Sequence, residues 1–578
     1  MKYSLLILLI LSFYYSLGQN RNLQTKFEKS GKSETVTYEE GIAYYRSLAQ
    51  EFPEVTMHEM GITDAGKPLH IVIYSNEREF DLRKIKSADK PILLINNAIH
   101  AGEPDGVEAS MMLMRDIAEG KILKEERAKF VLVIIPFYNI GGVLNRNSTT
   151  RANQNGPVAY GFRGNARNYD LNRDFIKGDT KNAKAFWEIF HLIDPDMFLD
   201  THVSNGADYQ YAITLIASQK NKLSKPMQET MGELINPDLY KHMLEAGEPM
   251  TPFVNVYGRT PDEGFSEFAD WPRYSTGYTA LFNTFGFMSE THMLKPFGRR
   301  VEATYHLMMG MVKTLVKYSK EIMASREMAK LSVQNGGSFP VKWKLDEEYS
   351  SQISFKGYDG SYIDSKVTDQ QRLYYDRSKP YEKIIPYKNR YIPSVEVQKP
   401  KYYLIPQGWH EVIDRLRANQ VELTQLLSDT VIDVHSYRIA DFKTIPTAYE
   451  GHYFHYEIEI EDKKETLSFK KGDFLIRCDQ FANRYIVETL EPLAEDSFFK
   501  WNFFDTVLGS KEGFSGYVFE EIAVELLAKD KELNARFRER QQSDKDFASN
   551  RYRQLKFIYD QSPHKERSHL QYPVFRIL

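Results

Sequence analysis

Two histidines and a glutamate in this chain have the types and spacing of a metal site. His100 and Glu103 stand three positions apart in the segment NAIHAGEP (97–104), and His202 follows in LDTHVS (199–204). Two imidazole nitrogens and one carboxylate, with a fourth position left for water, are the donors of an open catalytic zinc site. These residues therefore predict an enzyme that holds one Zn2+ per chain.

The His-x-x-Glu spacing is weak evidence by itself. The chain has 14 His, and the same spacing recurs at His242 and Glu245. That second pair lies in a plain helical sequence with no third ligand near it, so we interpret it as structural. The first pair gains weight from the polar residues that follow it along the chain.

Composition sets the broad class of the protein. The chain has 578 residues, of which 42% are hydrophobic and 27% charged, as in a soluble globular protein of more than one domain. A net charge of −4 gives no reason to expect nucleic acid or an anionic membrane as partner. Cys478 is the single cysteine, so no intramolecular disulfide can form, and its apolar surroundings favour a buried side chain.

The N-terminal residues have the pattern of a signal peptide. Lys2 precedes an apolar run at 5–15, and Ser16 and Gly18 fit a cleavage site after residue 18. The apolar run is too short to cross a bilayer comfortably. We therefore expect residues 1–18 to be removed and the mature protein to be exported, periplasmic or extracellular, without a membrane span.

Strands and helices alternate between residues 38 and 331. Apolar runs predict strands at 69–74, 91–96, 130–135, 197–200 and 284–289. Helices are predicted at 104–120, 181–192 and 300–331. The alternation indicates an α/β fold with a mostly parallel sheet that helices cover on both sides. Ligands of such sheets bind beyond the carboxyl ends of strands, where His100, His202 and Glu290 are expected.

The texture of the sequence changes after residue 331. The composition of Asn335 to Ser338 is typical of a linker. Strand-like runs follow at 349–397 and 453–476, a helix is expected at 408–427, and a charged helical stretch is expected at 517–560. We therefore expect a catalytic domain at 30–331 and a C-terminal accessory region at 338–578, mainly β with a helical end. No candidate catalytic cluster follows residue 331.

A second motif, NYDLNRDF (168–175), lies between the His-x-x-Glu loop and His202, and Glu290 follows an apolar strand. With these four motifs in this order, the chain resembles the zinc carboxypeptidases of the M14 family over about residues 30–330. The resemblance implies a mixed eight-stranded sheet flanked by helices. It also implies zinc-activated water that hydrolyses C-terminal peptide bonds, and a peptide or protein substrate with a free C-terminus.

The resemblance assigns roles to individual residues. His100, Glu103 and His202 become the zinc ligands, and Asp170 becomes the carboxylate that orients His100. Asn172 and Arg173 become the binding site of the substrate's terminal carboxylate, which the fork of a guanidinium group matches.

Glu290, by the same resemblance, is the general base that takes a proton from the attacking water. Arg151 is our candidate for the arginine that stabilises the oxyanion, and Tyr274 is our candidate for a tyrosine that caps the bound terminus. Three other arginines of the same stretch remain alternatives to Arg151, namely Arg146, Arg163 and Arg167.

One departure from the family concerns substrate preference. The best-known digestive members carry an arginine between the His and Glu of the first motif, where this chain has Ala101 and Gly102. Digestive-type specificity is therefore not expected. A zinc amidase or endopeptidase acting on cell-wall peptides is the alternative function. A non-catalytic binding protein is disfavoured, because all three ligands and Glu290 are present.

Overall fold

The structure is a computed structural model that describes residues 23–578, apart from the side chains of Ser87 and Ala88. The predicted signal peptide, 1–18, lies outside the described residues. Between residues 23 and 578, no helix is both long and apolar enough to cross a membrane. Contacts between residues divide the chain into two units, one of 1–335 with 343–394 and the other of 336–342 with 395–578.

The first unit is built on an eight-stranded sheet. Its order is β1-β2-β4-β3-β5-β9-β6-β7, and four of its seven pairings are parallel, namely β4–β3, β3–β5, β5–β9 and β6–β7. The mixed, mostly parallel sheet expected from the sequence is confirmed. The strands are β1 Val55–Ile62, β2 Pro68–Ser75, β3 Ile92–Asn96, β4 Val131–Ile135, β5 Met197–Ser204, β6 Ile213–Ala217, β7 Thr251–Pro252 and β9 Phe285–His292.

Every residue of β3, β4 and β5 is buried. Strands of this kind are covered by helices on both faces of the sheet. The predicted helices appear close to their expected bounds, and the one after His100 stops before Gly120, whose φ is +67°. The α-helices of the unit are Lys26–Lys29, Tyr38–Glu51, Asp105–Ala118, Ile140–Leu144, Lys181–Ile193, Lys225–Glu229, Asn236–Glu245, Ser275–Leu281, Phe297–Lys317 and Ser319–Asn335, with a π-helical turn at Thr230–Ile235.

Two strands run further than the sequence indicates. β5 was expected to end at Asp200 and β9 at Ser289, but they continue to Ser204 and His292. The reason is their mutual parallel pairing, which extends as far as the pair formed by those two last residues. His202 and Glu290 therefore lie within strands rather than beyond their ends, whereas His100 follows the end of β3 as predicted.

A long antiparallel hairpin belongs to the first unit, although the sequence placed it in the accessory region. It consists of β11, Ser351–Asp364, and β12, Gln371–Lys388. β12 also pairs with β8, Phe265–Ser266, in a three-stranded sheet. The expected boundary near residue 331 thus differs from the observed division, because the hairpin packs on the unit that contains β1 to β9.

The second unit combines a six-stranded sheet with helices, in keeping with a mainly β region that has a helical end. The sheet order is β15-β18-β14-β19-β16-β17. The helix expected at 408–427 is shorter, since it ends at Ala418 and the chain then forms β15. The elements are β14 Tyr402–Ile405, His410–Ala418, β15 Leu423–Gln425, β16 Thr430–Thr444, β17 His455–Phe469, β18 Phe474–Arg477, Asn483–Leu490, Gly516–Lys529, Lys531–Ser543, Lys545–Ala548, Arg551–Asp560 and β19 Phe575–Ile577.

Two further strands, β10 (Ser338–Leu345) and β13 (Tyr391–Gln398), pair with each other, and the division between the units passes through both. Cys478 is buried, as the sequence indicated.

The hairpin should contribute to the stability of the first unit. A chain that ends at Leu331 loses Phe355, Ile385 and Tyr387, which share a buried apolar cluster with Tyr209. Its free energy of unfolding should fall by more than about 3 kcal/mol relative to a chain that ends at Gln398, because several large apolar side chains leave the core. Denaturant unfolding of the two chains measures the difference; equal stability would contradict the observed division.

Candidate active site

The three predicted metal ligands meet at one point. His100 Nδ1 lies 3.2 Å from His202 Nδ1 and 3.2 Å from Glu103 Oε2, and the Glu103 oxygen lies 3.3 Å from His202 Nδ1. Donors bound tetrahedrally at about 2.0–2.1 Å from zinc stand about 3.3 Å apart. The triangle of donor atoms therefore has the dimensions of a zinc site.

The ligands come from two parts of the fold, His100 and Glu103 from one loop and His202 from β5. β3 ends at Asn96 while its neighbour β5 continues, so the loop 97–104 lies beside the second half of β5. In that loop, Glu103 N–H donates to His100 O at 2.9 Å, which closes a turn and turns both side chains to one place. Asn97 holds the loop to the sheet, since its Oδ1 accepts from Thr201 Oγ1 at 3.0 Å.

The helix that follows Glu103 lies directly on β5. A Cβ atom at Gly106 would stand 2.1 Å from Thr201 Oγ1, so only glycine permits this approach. Asp105, at the start of the helix, accepts from Arg300 Nε at 2.9 Å and from Thr291 Oγ1 at 2.5 Å. Buried Asp105 thus joins the loop of Glu103 to the residue that follows Glu290.

Asp170 lies behind His100, as the sequence predicted. Its Oδ1 stands 3.0 Å from His100 Nε2, and its Oδ2 accepts from Arg163 Nη2 at 2.7 Å. Although burial raises the pKa of Asp170, the charges of His100 and Arg163 and the hydrogen bond to His100 hold it well below its usual range. An ionised carboxylate there keeps Nδ1 of His100 available to a metal.

Asp200 is a second such carboxylate, and the sequence analysis missed it. Its Oδ2 lies 3.0 Å from His202 Nε2, and its Oδ1 accepts from Asn96 Nδ2 at 3.1 Å. Alternation along β5 places residues 200 and 202 on the same face of the sheet. The two-residue spacing was visible in the sequence, but it has this meaning only once β5 is known to continue through His202.

Glu103 is held by donors on both oxygens. Oε1 accepts from Arg151 Nη1 at 2.9 Å, and Oε2 accepts from Val203 N–H at 2.8 Å. Arg151 also donates to Gln154 Oε1 at 2.6 Å and to Val203 O at 3.3 Å. Although burial raises the pKa of Glu103, the charges of His100 and Arg151 hold it well below its usual range, so Glu103 is a carboxylate ready to bind a cation.

Glu290 is the strand neighbour of His202, since the two residues are register partners in the parallel pairing of β5 and β9. Burial, with a smaller effect of the Glu103 charge, raises the pKa of Glu290 to about 7. A carboxyl group of this kind can accept and release a proton near neutral pH.

A cavity of about 540 Å3 opens over the donor triangle. Asn172, Arg173, Tyr274 and Glu290, which the sequence singled out, line this cavity together with the three ligands. Asn172 Oδ1 accepts from Ser275 N–H at 3.3 Å, and the Arg173 guanidinium lies over the Tyr274 ring at 4.6 Å. The predicted residues are therefore brought together by the fold.

The four candidate oxyanion arginines separate into two groups. Arg151 and Arg163 line the cavity, whereas Arg146 and Arg167 do not. Arg146 donates to backbone oxygens that include Val36 O at 2.9 Å, and Arg167 donates to Asp179 O at 3.1 Å. His242, on the helix Asn236–Glu245, does not line the cavity either.

The donor set suits zinc. A metal site needs at least three His, Cys, Asp or Glu side chains whose ligand atoms lie close together. Within residues 23–578, one such group has its ligand atoms within 4.8 Å of one another, and it consists of His100, Glu103 and His202. All three are buried, and both histidines have a carboxylate beside the nitrogen that faces away from the triangle. Two imidazole nitrogens and one carboxylate oxygen form a donor set that the borderline-soft Zn2+ ion accepts.

Purified protein should contain about one zinc per chain, because the site offers three donors. His202→Ala should abolish zinc binding, whereas the matched control His242→Ala should retain it. Asp200→Asn should weaken zinc binding by about 10–100-fold, as loss of an orienting carboxylate does. Metal analysis and competition with a chelator measure both effects; full occupancy in His202→Ala would remove this residue from the ligand set.

Known proteins that are similar to this chain are named as carboxypeptidases. Residues 42–196 match the family model of the zinc carboxypeptidases, Peptidase M14. Carboxypeptidase 2 of Trichophyton rubrum is 20% identical over 473 residues, which cover 79% of this chain and 81% of that protein. Carboxypeptidase 2 of Trichophyton equinum is 21% identical over 478 residues, with the same shares of 79% and 81%.

Solved structures similar to this chain carry related names. A metallo-carboxypeptidase from Burkholderia cenocepacia has a TM-score of 0.39 and 17% identity and covers 49% of this chain and 70% of its own. A carboxypeptidase A from Helicoverpa armigera has a TM-score of 0.37 and 15% identity, with 57% and 81% covered. Residues 42–196 thus match a zinc carboxypeptidase domain, and the family match together with the curated carboxypeptidase relatives makes this protein a metallopeptidase.

Proposed function

We propose that this protein is a zinc metallocarboxypeptidase that hydrolyses the peptide bond before the C-terminal residue of its substrate. The observation that carries the proposal is the donor triangle of His100, Glu103 and His202 with Glu290 directly across the strand pairing from His202. When bound, a zinc ion lowers the pKa of water and polarises the substrate carbonyl. The residues of the chain supply positioning, charge and proton transfer.

Glu290 is the general base of the proposed reaction. Its carboxylate takes a proton from the attacking water and then delivers it to the nitrogen of the leaving residue. A pKa near 7, raised by burial, allows the same group to do both within one turnover. Because β9 is paired on both sides, with β5 and β6, the backbone that carries Glu290 is rigid.

Asn172 and Arg173 are the proposed binding site of the terminal carboxylate. Arg173 Nη1 donates to Asn172 O at 2.9 Å, and the Tyr274 ring under the guanidinium fixes its plane. Asn172 is buried, so a carboxylate bound there is shielded from water and interacts strongly with Arg173. Tyr274, in contact with Arg173, closes this end of the cavity.

The oxyanion role goes to Arg163 in preference to Arg151. The guanidinium of Arg151 donates to Glu103, Gln154 and Val203 O, so its charge stabilises a ligand carboxylate. Arg163 also pairs with Asp170, through Nε and Nη2, but 44% of its side chain is exposed and its remaining nitrogen, Nη1, lies 3.7 Å from Glu103 Oε1. Arg163 therefore offers a positive charge beside the ligands that a developing oxyanion can reach.

The cavity next to the carboxylate site is apolar. Ile216 and Met288 are register partners on β6 and β9, and they form a cluster with Phe253, Phe268 and Tyr274. Asn172 Nδ2 lies 4.0 Å from Met288 Sδ, so this cluster adjoins the proposed carboxylate site. The terminal side chain of the substrate should therefore be apolar.

Export from the cell remains a proposal that rests on residues 1–18. The amidase or endopeptidase alternative, acting on cell-wall peptides, uses the same ligands, and the need for a free terminal carboxylate distinguishes it from the carboxypeptidase.

Glu290→Gln should lower turnover by about 10²–10⁴-fold, because the amide cannot take the proton. Zinc content should stay at the parent level, since Glu290 is not a ligand. Steady-state kinetics and metal analysis of the variant, with Glu245→Gln as the matched control, measure both quantities. Turnover within a few-fold of the parent would assign the base to another group.

Arg173→Ala should lower kcat/KM for peptides with a free C-terminus, because it leaves the terminal carboxylate without its charged partner. The loss of transition-state stabilisation should be about 2 kcal/mol or more. Arg167→Ala, which alters an arginine outside the cavity, should have little effect. Comparison of free and C-amidated peptides tests the parent enzyme, and equal cleavage of the two would favour the endopeptidase or amidase.

Peptides that end in Leu or Phe should be cleaved at least about tenfold faster, as kcat/KM, than peptides that end in Lys or Glu, because a charge would be buried against the apolar cluster. A series of peptides that differ only in the last residue measures this preference. Faster release of a charged residue would place the terminal side chain elsewhere in the cavity.

A further inference from the structure

The segment 253–257, which follows β7, contributes side chains to two different places. Phe253, Asn255 and Tyr257 line the active-site cavity. Val254 and Val256 point the other way and are 2% and 1% exposed. One short segment therefore forms a wall of the cavity and also belongs to an apolar cluster behind it.

The hairpin of β11 and β12 supplies the other side of that cluster. Phe355, Ile385 and Tyr387, from its two strands, are buried together with Val254 and Val256. The hairpin supplies three of the large side chains of the cluster in which the two valines are buried. The hairpin thus provides the apolar surface on which the cavity wall rests.

Polar contacts hold the hairpin to the segment that follows β5. Gln210 Nε2 donates to Gly357 O at 2.9 Å and to Tyr381 O at 2.8 Å. Ala207 N–H in turn donates to Val256 O at 3.2 Å. The hairpin, the segment after the metal-binding strand and the cavity wall therefore form one continuous assembly.

Two hydrogen bonds from β12 hold the hairpin at mid-length as well. Arg377 Nε donates to Asp208 Oδ2 at 2.6 Å, and Asp208 is only 4% exposed. Tyr375 Oη donates to Arg259 O at 2.9 Å, two residues after Tyr257. Asp208 Oδ1 also lies 3.4 Å from Lys295 Nζ, so this buried carboxylate has two positively charged partners, one of which comes from the hairpin.

Asn255 and Tyr257 are exposed at the mouth of the cavity, whereas the proposed contacts of the terminal residue, Asn172 and Met288, are buried. A peptide whose last residue is bound inside must leave the cavity past the exposed residues. Tyrosine offers an apolar ring with a polar tip, and asparagine offers both a donor and an acceptor to an extended backbone.

Resting on the proposed carboxypeptidase function, we infer that Asn255 and Tyr257 bind the substrate residues that precede the scissile bond, and that the hairpin 351–388 is the positioning element that holds them there. The hairpin has no part in the chemistry. Its contribution is to keep the wall in place so that longer peptides are recognised.

Two substrates test this inference on the zinc-loaded, full-length enzyme. They are a dipeptide and a hexapeptide, both blocked at the N-terminus, that share their last two residues. The parent should prefer the hexapeptide. Tyr257→Ala should lower the hexapeptide-to-dipeptide ratio of kcat/KM about tenfold, mainly through KM. Tyr257→Phe should restore most of the ratio if the ring supplies the contact. Lys366→Met, at the turn of the hairpin, is the control and should leave the ratio unchanged.

A double-mutant cycle tests the role of the hairpin. Arg377→Gln combined with Tyr375→Phe removes the hydrogen bonds from the hairpin to Asp208 and to Arg259 O. The two changes should lower the hexapeptide-to-dipeptide ratio of kcat/KM about threefold, with zinc content at the parent level. If the hairpin acts through Tyr257, adding Tyr257→Ala to these changes should give no more loss than Tyr257→Ala alone. Multiplicative losses, or equal losses for the two peptides, would overturn the inference.

The outcomes separate this inference from the function on which it rests. A parent enzyme that cleaves neither peptide contradicts the carboxypeptidase proposal and the inference together. A parent that cleaves both, but shows no preference for the hexapeptide or none that Tyr257→Ala changes, contradicts the inference alone.

Discussion

The parallel pairing of β5 with β9 is the constraint on which the site depends. It sets His202 against Glu290, so the ligand and the proposed base are fixed by backbone hydrogen bonds rather than by side-chain packing. The earlier end of β3 leaves space beside β5, and the loop with His100 and Glu103 occupies it. The remaining residues of the site are arranged around these two facts.

Charge compensation accompanies this geometry. The carboxylate of Glu103 has Arg151 beside it, and that of Asp170 has Arg163. Burying an ionised carboxylate is costly unless a partner and hydrogen bonds offset the loss of water. Both carboxylates must be ionised to bind or orient a cation, and the arginines stabilise that state before any metal arrives.

Local patterns in the sequence predicted the parts of the site that depend on short spacing. The loop of His100 and Glu103 and the strands of the sheet were recognisable from neighbouring residues, whereas Asp170 and Arg173 were assigned only through the resemblance to a family. A mostly parallel sheet followed from the order of strands and helices and is confirmed.

Features that depend on distant contacts were not predictable in this way. Tyr209 meets Phe355 in one cluster although 146 positions separate them in the sequence, and neither segment carries a local signal of the other. The boundary near residue 331 was misplaced for this reason. The choice between Arg151 and Arg163 likewise required their hydrogen-bond partners, because four arginines in one stretch look alike in sequence.

The placement of the ligands on two kinds of backbone affects how fast a bound ion can exchange. His202 lies within β5, a central strand that pairs with β9 as far as Ser204 and with β3 as far as Asp200, and such strands open only in rare, global unfolding. His100 and Glu103 lie on a loop, which opens at much lower cost. Exchange should therefore begin with the release of the ion by His100 and Glu103 while His202 remains bound to it. The lifetime of the bound ion then depends on local opening of residues 97–104 rather than on the stability of the whole protein.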